Sequence, residues 1–194
     1  MRPAKDVDLV EAVRRGDAGA RDRLLDLRLP LVLQWCARLG GPRVDAEDAA
    51  HDVFVVVLTR MDTVTDLSAF DSWLFGVTRR VLASHRRKAW IRRWAPGLMA
   101  DTADPGAGPS RRTELSETGR RVQQALDTLP DLHREVLVLC DFEERTDTEV
   151  AALLGIPSPT VRSRLRLARD RFRREADRLK LSTALMEAAR GEGE

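Results

Sequence analysis

The residues best suited to chemistry in this chain are arginines, and they recur in two stripes. Arg162, Arg166, Arg169 and Arg173 follow one another at three- and four-residue steps, and Arg79, Arg86, Trp90 and Arg93 share one helical face with Arg80 and Arg87 beside it. A guanidinium stripe at helical spacing matches phosphates along a backbone and the paired acceptors of a guanine edge. Residues 72–100 carry seven Arg or Lys, no acidic residue, and Trp73, Trp90 and Trp94. Basic groups interleaved with aromatics suit a nucleic-acid strand whose bases are unstacked. The step from Phe70 to Trp73, Val77 and Val81 is a core spacing, so Trp73 reads as packing; Trp90 and Trp94 stand open to either role. A third set, Asp45, Glu47, Asp48 and Asp52, lies in DAEDAAHDVF. These carboxylates fall in the first turns of a helix, where the dipole favours them, and they form no acid/base pair. They are a solvated surface or a docking face for a basic partner. No nucleophile–base arrangement, phosphate loop or dinucleotide fingerprint occurs, so no catalytic residue and no cofactor is expected. His51, His85, His133, Cys36 and Cys140 lack zinc-site spacing, and no metal is expected. Each cysteine sits among apolar residues and reads as packing.

The elements that must present these groups are helical. Thr146 with Glu149 is a capping box that opens a helix, and Val150, Leu153 and Leu154 give it an apolar stripe. Gly155 falls where a helix ends in the left-handed region, and Ile156-Pro157 makes the turn. Ser158 can cap a second helix whose first residue, Pro159, needs no N–H. Short helix, glycine turn and capped longer helix is the helix-turn-helix plan. In the second helix Val161, Leu165, Ala168, Phe172 and Leu179 should face the core. Arg162, Ser163 and Arg166, near its start, are the candidates for base edges. Arg169, Arg171, Arg173 and Arg174 lie further along, where phosphates are the natural target.

Strand signals are almost absent, and helix breakers divide the chain. A helical hairpin is expected over roughly 7–16 and 20–39, ending at Gly40-Gly41-Pro42. A helix capped by Asp45 runs over 45–61, a loop covers 62–68, and a long helix spans 69–94. The segment 101–110, DTADPGAGPS, has no large apolar residue and reads as a tether. Helical periodicity resumes near Leu115 and continues to about Lys180. The fold expected is all-α: two small helical domains over 1–95 and 115–180, a flexible linker over 96–114 and a tail over 181–194.

The longest apolar runs, Val53–Leu58 and Val136–Cys140, are far short of the ~20 residues that span a bilayer. With no apolar signal-peptide core in MRPAKDVDLVEAVRRGD, a cytoplasmic location is expected and membrane insertion is not. The 194 residues carry a net charge of +2, which at first argues against a nucleic-acid partner. The average conceals segregation. Residues 122–159 carry two basic and eight acidic groups, and residues 160–180 carry nine basic and three acidic ones. Each domain therefore holds one strongly basic helix set among acidic segments.

In order along the chain, these features resemble an extracytoplasmic-function (ECF) RNA polymerase sigma factor. VDAEDAAHDVF is similar to the family's DAED-x-x-Q-E-x-F motif, and FDSWLFGVTRRVLASHRRK to F-x-x-W-L-x-x-I-A-R-N. LPDLHREVLVLCDFEERTDTEVAALLGIPSPTVRSRLRLAR is similar to LP-x-x-x-R-x-V-x-L with the helix-turn-helix after it. The resemblance covers roughly residues 6–95 and 119–175. It implies a non-enzymatic specificity subunit built of sigma regions 2 and 4. Asp45, Glu47, Asp48, His51, Asp52 and Phe54 would bind the β′ clamp helices of core RNA polymerase. Asp66, Leu67, Ser68, Phe70, Trp73, Arg79, Arg80, Arg86 and Arg87 would open and read the −10 element. Ser158, Thr160, Arg162, Ser163, Arg166, Arg169 and Arg173 would bind the −35 element, with region 4 also touching the β flap. An anti-sigma factor is the further partner the resemblance implies. The chain departs from the pattern at Arg80 (often Asn), Ser84 (often Asp), His51 (usually Gln) and Leu167 (often basic), so no promoter sequence is carried over. A free-standing helix-turn-helix regulator and a protein-binding adaptor are the competing readings; neither is favoured by a visible effector pocket, dimer seam or lack of basic stripes.

Overall fold

Side-chain caps and glycines mark out the elements. The computed structural model describes residues 3–64, 66, 69–94 and 116–181. The chain divides into two compact units, 1–104 and 105–194. Among the described residues every regular element is a helix or a helical turn.

In the first unit, α1 spans Pro3–Arg14 and α2 spans Ala18–Leu39. The first helix starts earlier than its apolar spacing predicts. Gly16, at φ +87°, turns the chain between them, and the Asp17 carboxylate accepts from the Ala20 N–H at 2.9 Å to open α2. Helix α3, Ala46–Arg60, is capped as predicted by Asp45, whose Oδ1 accepts from the N–H groups of Glu47 and Asp48. A 3₁₀ turn, Met61–Thr63, follows, taking the last residue of the predicted helix and the start of the predicted loop. Helix α4 then spans Phe70–Trp94. Trp35 and Phe75 meet edge to face at 4.9 Å at the centre of the core, with Leu24, Val32, Val53, Val57, Leu74 and Leu82 around them. Arg28 is also buried, and its Nη2 pairs with Asp71 Oδ1 at 3.0 Å in the first turn of α4.

In the second unit, α5 spans Glu117–Asp127 and α6 spans Asp131–Leu137. The chain continues from α6 as a single π turn, Val138–Phe142, which the sequence pattern does not announce. Helices α7, Asp147–Leu154, and α8, Ser158–Arg178, form the helix-turn-helix. Leu126, Val136–Leu139, Val150, Val161, Leu165 and Ala168 make its core. Arg134 is buried here and donates to the carbonyls of Leu126, Asp127 and Leu129 at 2.9, 3.2 and 3.0 Å, satisfying the end of α5 and the turn after it.

Both thiols are held protonated. Burial pushes Cys36 up to about 12, and burial followed by the charges of Asp147 and Asp141 pushes Cys140 up to about 11. No helix among the described residues is long and apolar enough to cross a membrane.

Candidate nucleic-acid interface

The turn that orients the recognition helix is built as its residues require. Thr146 Oγ1 accepts from the Glu149 N–H, and the Glu149 carboxylate accepts from the Thr146 N–H at 2.8 Å, closing the capping box. Donation from the Thr146 N–H and then from the Thr146 hydroxyl holds the Glu149 carboxyl below its ordinary range. Gly155 adopts φ +65°, and the N–H groups of Gly155 and Ile156 both return to the Ala151 carbonyl. Pro157, in extended conformation, provides the carbonyl that accepts the first bonds of α8, from Thr160 and Val161 at 2.9 and 3.2 Å. The predicted cap at Ser158 is therefore displaced by one residue: Ser158 is already helical and makes no capping bond, because proline fixes the turn without it.

On α8, Val161, Leu165 and Ala168 are buried and Phe172 is half-buried. Phe172 meets Phe142 edge to face at 6.2 Å, and Leu179 is half-buried beyond it. Arg162, Ser163, Arg166, Arg169 and Arg173 are exposed, and Ser158 and Thr160 are half-buried. Arg169 is already engaged: its guanidinium donates to both carboxylate oxygens of Asp141 on the π turn, at 2.9 and 2.6 Å. That bonding raises its proton affinity further. Arg169 thus braces α8 against the π turn, 28 residues earlier, rather than standing open to a phosphate.

The basic helix α4 divides in the same way. Phe70 is buried, and its ring lies 5.9 Å from that of half-buried Trp73 and 6.0 Å from the Arg28 guanidinium. Arg79 is half-buried, and Arg80 and Arg87 are exposed. Arg86 donates to the Leu39 carbonyl at 3.0 Å, closing the end of α2. Trp90 and Trp94 are 58 % and 65 % exposed, so their rings are accessible for stacking, and the Arg93 guanidinium lies 5.2 Å from the Trp94 centroid. Before α4, Asp66 is exposed and its carbonyl accepts from the Ala69 N–H; Leu67 and Ser68 lie outside the described residues.

On α3, Asp45, Glu47, Asp48, His51 and Asp52 are exposed or half-buried. Asp52 Oδ2 lies 2.8 Å from His85 Nε2, joining the acidic helix to the basic one. Phe54 is 8 % exposed, so it supports the acidic face from beneath rather than lying on it. Val55 and Leu58 are the exposed apolar residues beside that face. Spacing alone did not reveal Arg28, Arg134, His85 or Asp141, whose partners lie on other elements. Among the described residues no group of three or more His, Cys, Asp or Glu could hold a metal. The predicted linker, 96–114, lies outside the described residues, as does the predicted tail beyond Leu181.

Comparison with known proteins bears on both units. Residues 24–92 match the family profile of Sigma-70 region 2, and residues 119–172 match that of Sigma-70, region 4. The ECF RNA polymerase sigma factor ShbA of Streptomyces griseus is 30 % identical over 179 residues, covering 87 % of this chain and 94 % of that protein. The ECF RNA polymerase sigma factor SigW of Bacillus subtilis is 26 % identical over 176 residues, covering 86 % and 94 %. In fold, the chain is similar to CnrH in its complex with the cytosolic domain of CnrY, with a TM-score of 0.64 and 23 % identity over 94 % of this chain and 97 % of that one. It is also similar to the sigma factor RpoE in complex with the anti-sigma factor NepR from Bartonella quintana, with a TM-score of 0.58 and 22 % identity over 80 % and 96 %.

Proposed function

The chain belongs to the ECF family of RNA polymerase sigma factors, non-enzymatic subunits that direct promoter-specific transcription initiation, and from that premise we propose a role for each surface. Region 2 occupies 1–95, a linker 96–114, region 4 115–180 and a tail 181–194. Asp45, Glu47, Asp48, His51 and Asp52, supported by Phe54, dock α3 on the β′ clamp helices of core polymerase. The loop ending at Asp66–Ser68 and the basic helix α4, with Arg79, Arg80 and Arg87, hold the melted −10 element. Exposed Trp90 and Trp94 offer stacking surfaces to unpaired bases. Phe70 and Trp73 shape the start of that helix, and Arg86 fixes its packing on α2. In region 4, Arg162, Ser163 and Arg166 read base edges of the −35 element. Ser158, Thr160 and Arg173 bind its backbone, and the same unit touches the β flap.

Two solved neighbours in fold are complexes: CnrH with the cytosolic domain of CnrY, and the sigma factor RpoE with the anti-sigma factor NepR. An anti-sigma factor is accordingly the partner proposed to hold this chain inactive. The proposed location is the cytoplasm, on the nucleoid when polymerase is bound. Tethering two weak DNA readers to one polymerase raises the effective concentration of each at the promoter.

The observation that carries this reading is the capped helix-turn-helix, which leaves Arg162, Ser163 and Arg166 exposed on the first half of α8. Run-off transcription with Arg162→Ala tests it. Upstream-element selectivity is expected to fall by about 1–3 kcal/mol, one bidentate contact. Full selectivity in the variant contradicts the assignment.

A further inference from the structure

Each arginine of the outward stripe on α8 has a carboxylate beside it. Arg162 Nη1 lies 3.8 Å from Asp147 Oδ2, and Arg166 Nη1 lies 3.9 Å from Asp170 Oδ2. Arg173 Nη1 lies 4.0 Å from Asp170 Oδ1, and Arg169 holds Asp141 through two hydrogen bonds. Four cations therefore share three anions, which come from three elements: the π turn, α7 and α8 itself. The pairs are not equivalent. The Arg169–Asp141 fork is short and aligned. The Arg162, Arg166 and Arg173 side chains are 61 %, 70 % and 72 % exposed and only approach their carboxylates, so these contacts are solvent-screened and exchangeable.

We propose that Asp147 and Asp170 are specificity-determining residues of duplex reading, acting as built-in counter-charges to Arg162, Arg166 and Arg173. The proposal rests on α8 being the −35 reader. At an unrelated sequence, each arginine gives up a carboxylate for a phosphate, one anion for another. The aspartate it leaves stays beside the DNA backbone and repels it. At the matching site a base edge accepts two parallel donors from the Arg162 or Arg166 guanidinium, a bond set the loose carboxylate contact does not supply, while Arg173 stays on the backbone. The penalty thus falls on every sequence, and only the cognate one offsets it. The acidic segment 122–159 directly before the recognition helix follows the same logic: Asp141 and Asp147 belong to it.

The test is fluorescence anisotropy of the full chain with the double variant Asp147→Asn, Asp170→Asn across a salt series. One duplex carries the −35 element that the wild-type holoenzyme selects, and the other a shuffled sequence. The variant is expected to bind the shuffled duplex more tightly by on the order of tenfold at low salt. Its dependence of log K on log salt should steepen by about 1–3, since each further phosphate neutralised adds about 0.9. Cognate affinity should rise less, so the cognate-to-shuffled ratio falls. Asp147→Glu with Asp170→Glu should restore the wild-type ratio, which separates charge from packing. Unchanged slopes, an equal rise in affinity for both duplexes, or no binding by the variant at low salt overturn the proposal. Arg162→Ala runs in parallel. If it leaves cognate binding intact, the −35 reading of α8 itself fails; if it weakens cognate binding while the double variant changes nothing, only the counter-charge proposal fails.

Discussion

Arg134 and Arg162 are both arginines of region 4, and their environments give them opposite tasks. Arg162 is exposed and paired only loosely, whereas Arg134 is 5 % exposed and donates to three carbonyls. Removing Arg134 takes a charged donor away from each of those three carbonyls, although Leu126 keeps the Leu129 N–H. Arg134→Met should therefore destabilise region 4 by about 2–4 kcal/mol, seen as an early region 4 transition in urea. A neighbour on the same helix, His133, has a buried Nδ1 with no hydrogen-bond partner. Burial first, then the charges of Arg171 and Arg164, push its pKa below the ordinary histidine value. Its charged form is thus disfavoured in the folded state, and the unfolded chain binds the proton more readily. The stability it contributes is complete above the ordinary value of about 6.5 and is lost as pH falls through the lower, folded value. Thermal melts of His133→Gln should show a flatter acid slope than wild type; parallel slopes contradict this. None of these distinctions shows in the sequence, because an arginine in an amphipathic pattern reads as surface until its carbonyl partners are known.

At the scale of elements, the helix-turn-helix was legible because its signals are local. Thr146 and Glu149 are three residues apart, and Gly155 needs only its own φ to be recognised. An added Cβ at Gly155 meets nothing within 4 Å, so only backbone strain opposes a side chain there. Gly155→Ala should cost about 1–2 kcal/mol by denaturant unfolding and lower −35 binding no further than that loss implies. The π turn at Val138–Phe142 was not legible. Its run of apolar residues fits an ordinary helix, and its purpose, placing Asp141 under Arg169, depends on a residue 28 positions later. For the same reason sequence reads Arg169 and Arg86 as DNA contacts without showing that each also bonds a group on another element. Helix α3 shows both cases: its Asp45 cap is local and was expected, while the Asp52–His85 contact across to α4 was not.

For the whole molecule, the net charge of +2 is the balance of two basic helices and the acidic segments around them. Under the roles proposed above, segregated charge of this kind gives each unit a face for DNA while limiting attraction to DNA at large. It suits a subunit that engages promoters from within polymerase rather than alone. Reconstitution of core RNA polymerase with this chain on a promoter library, followed by sequencing of the transcripts, tests that account most directly. The account predicts transcripts that depend on the chain and start from templates sharing two short elements at one fixed spacing. Transcripts no different from those of core polymerase alone would contradict it.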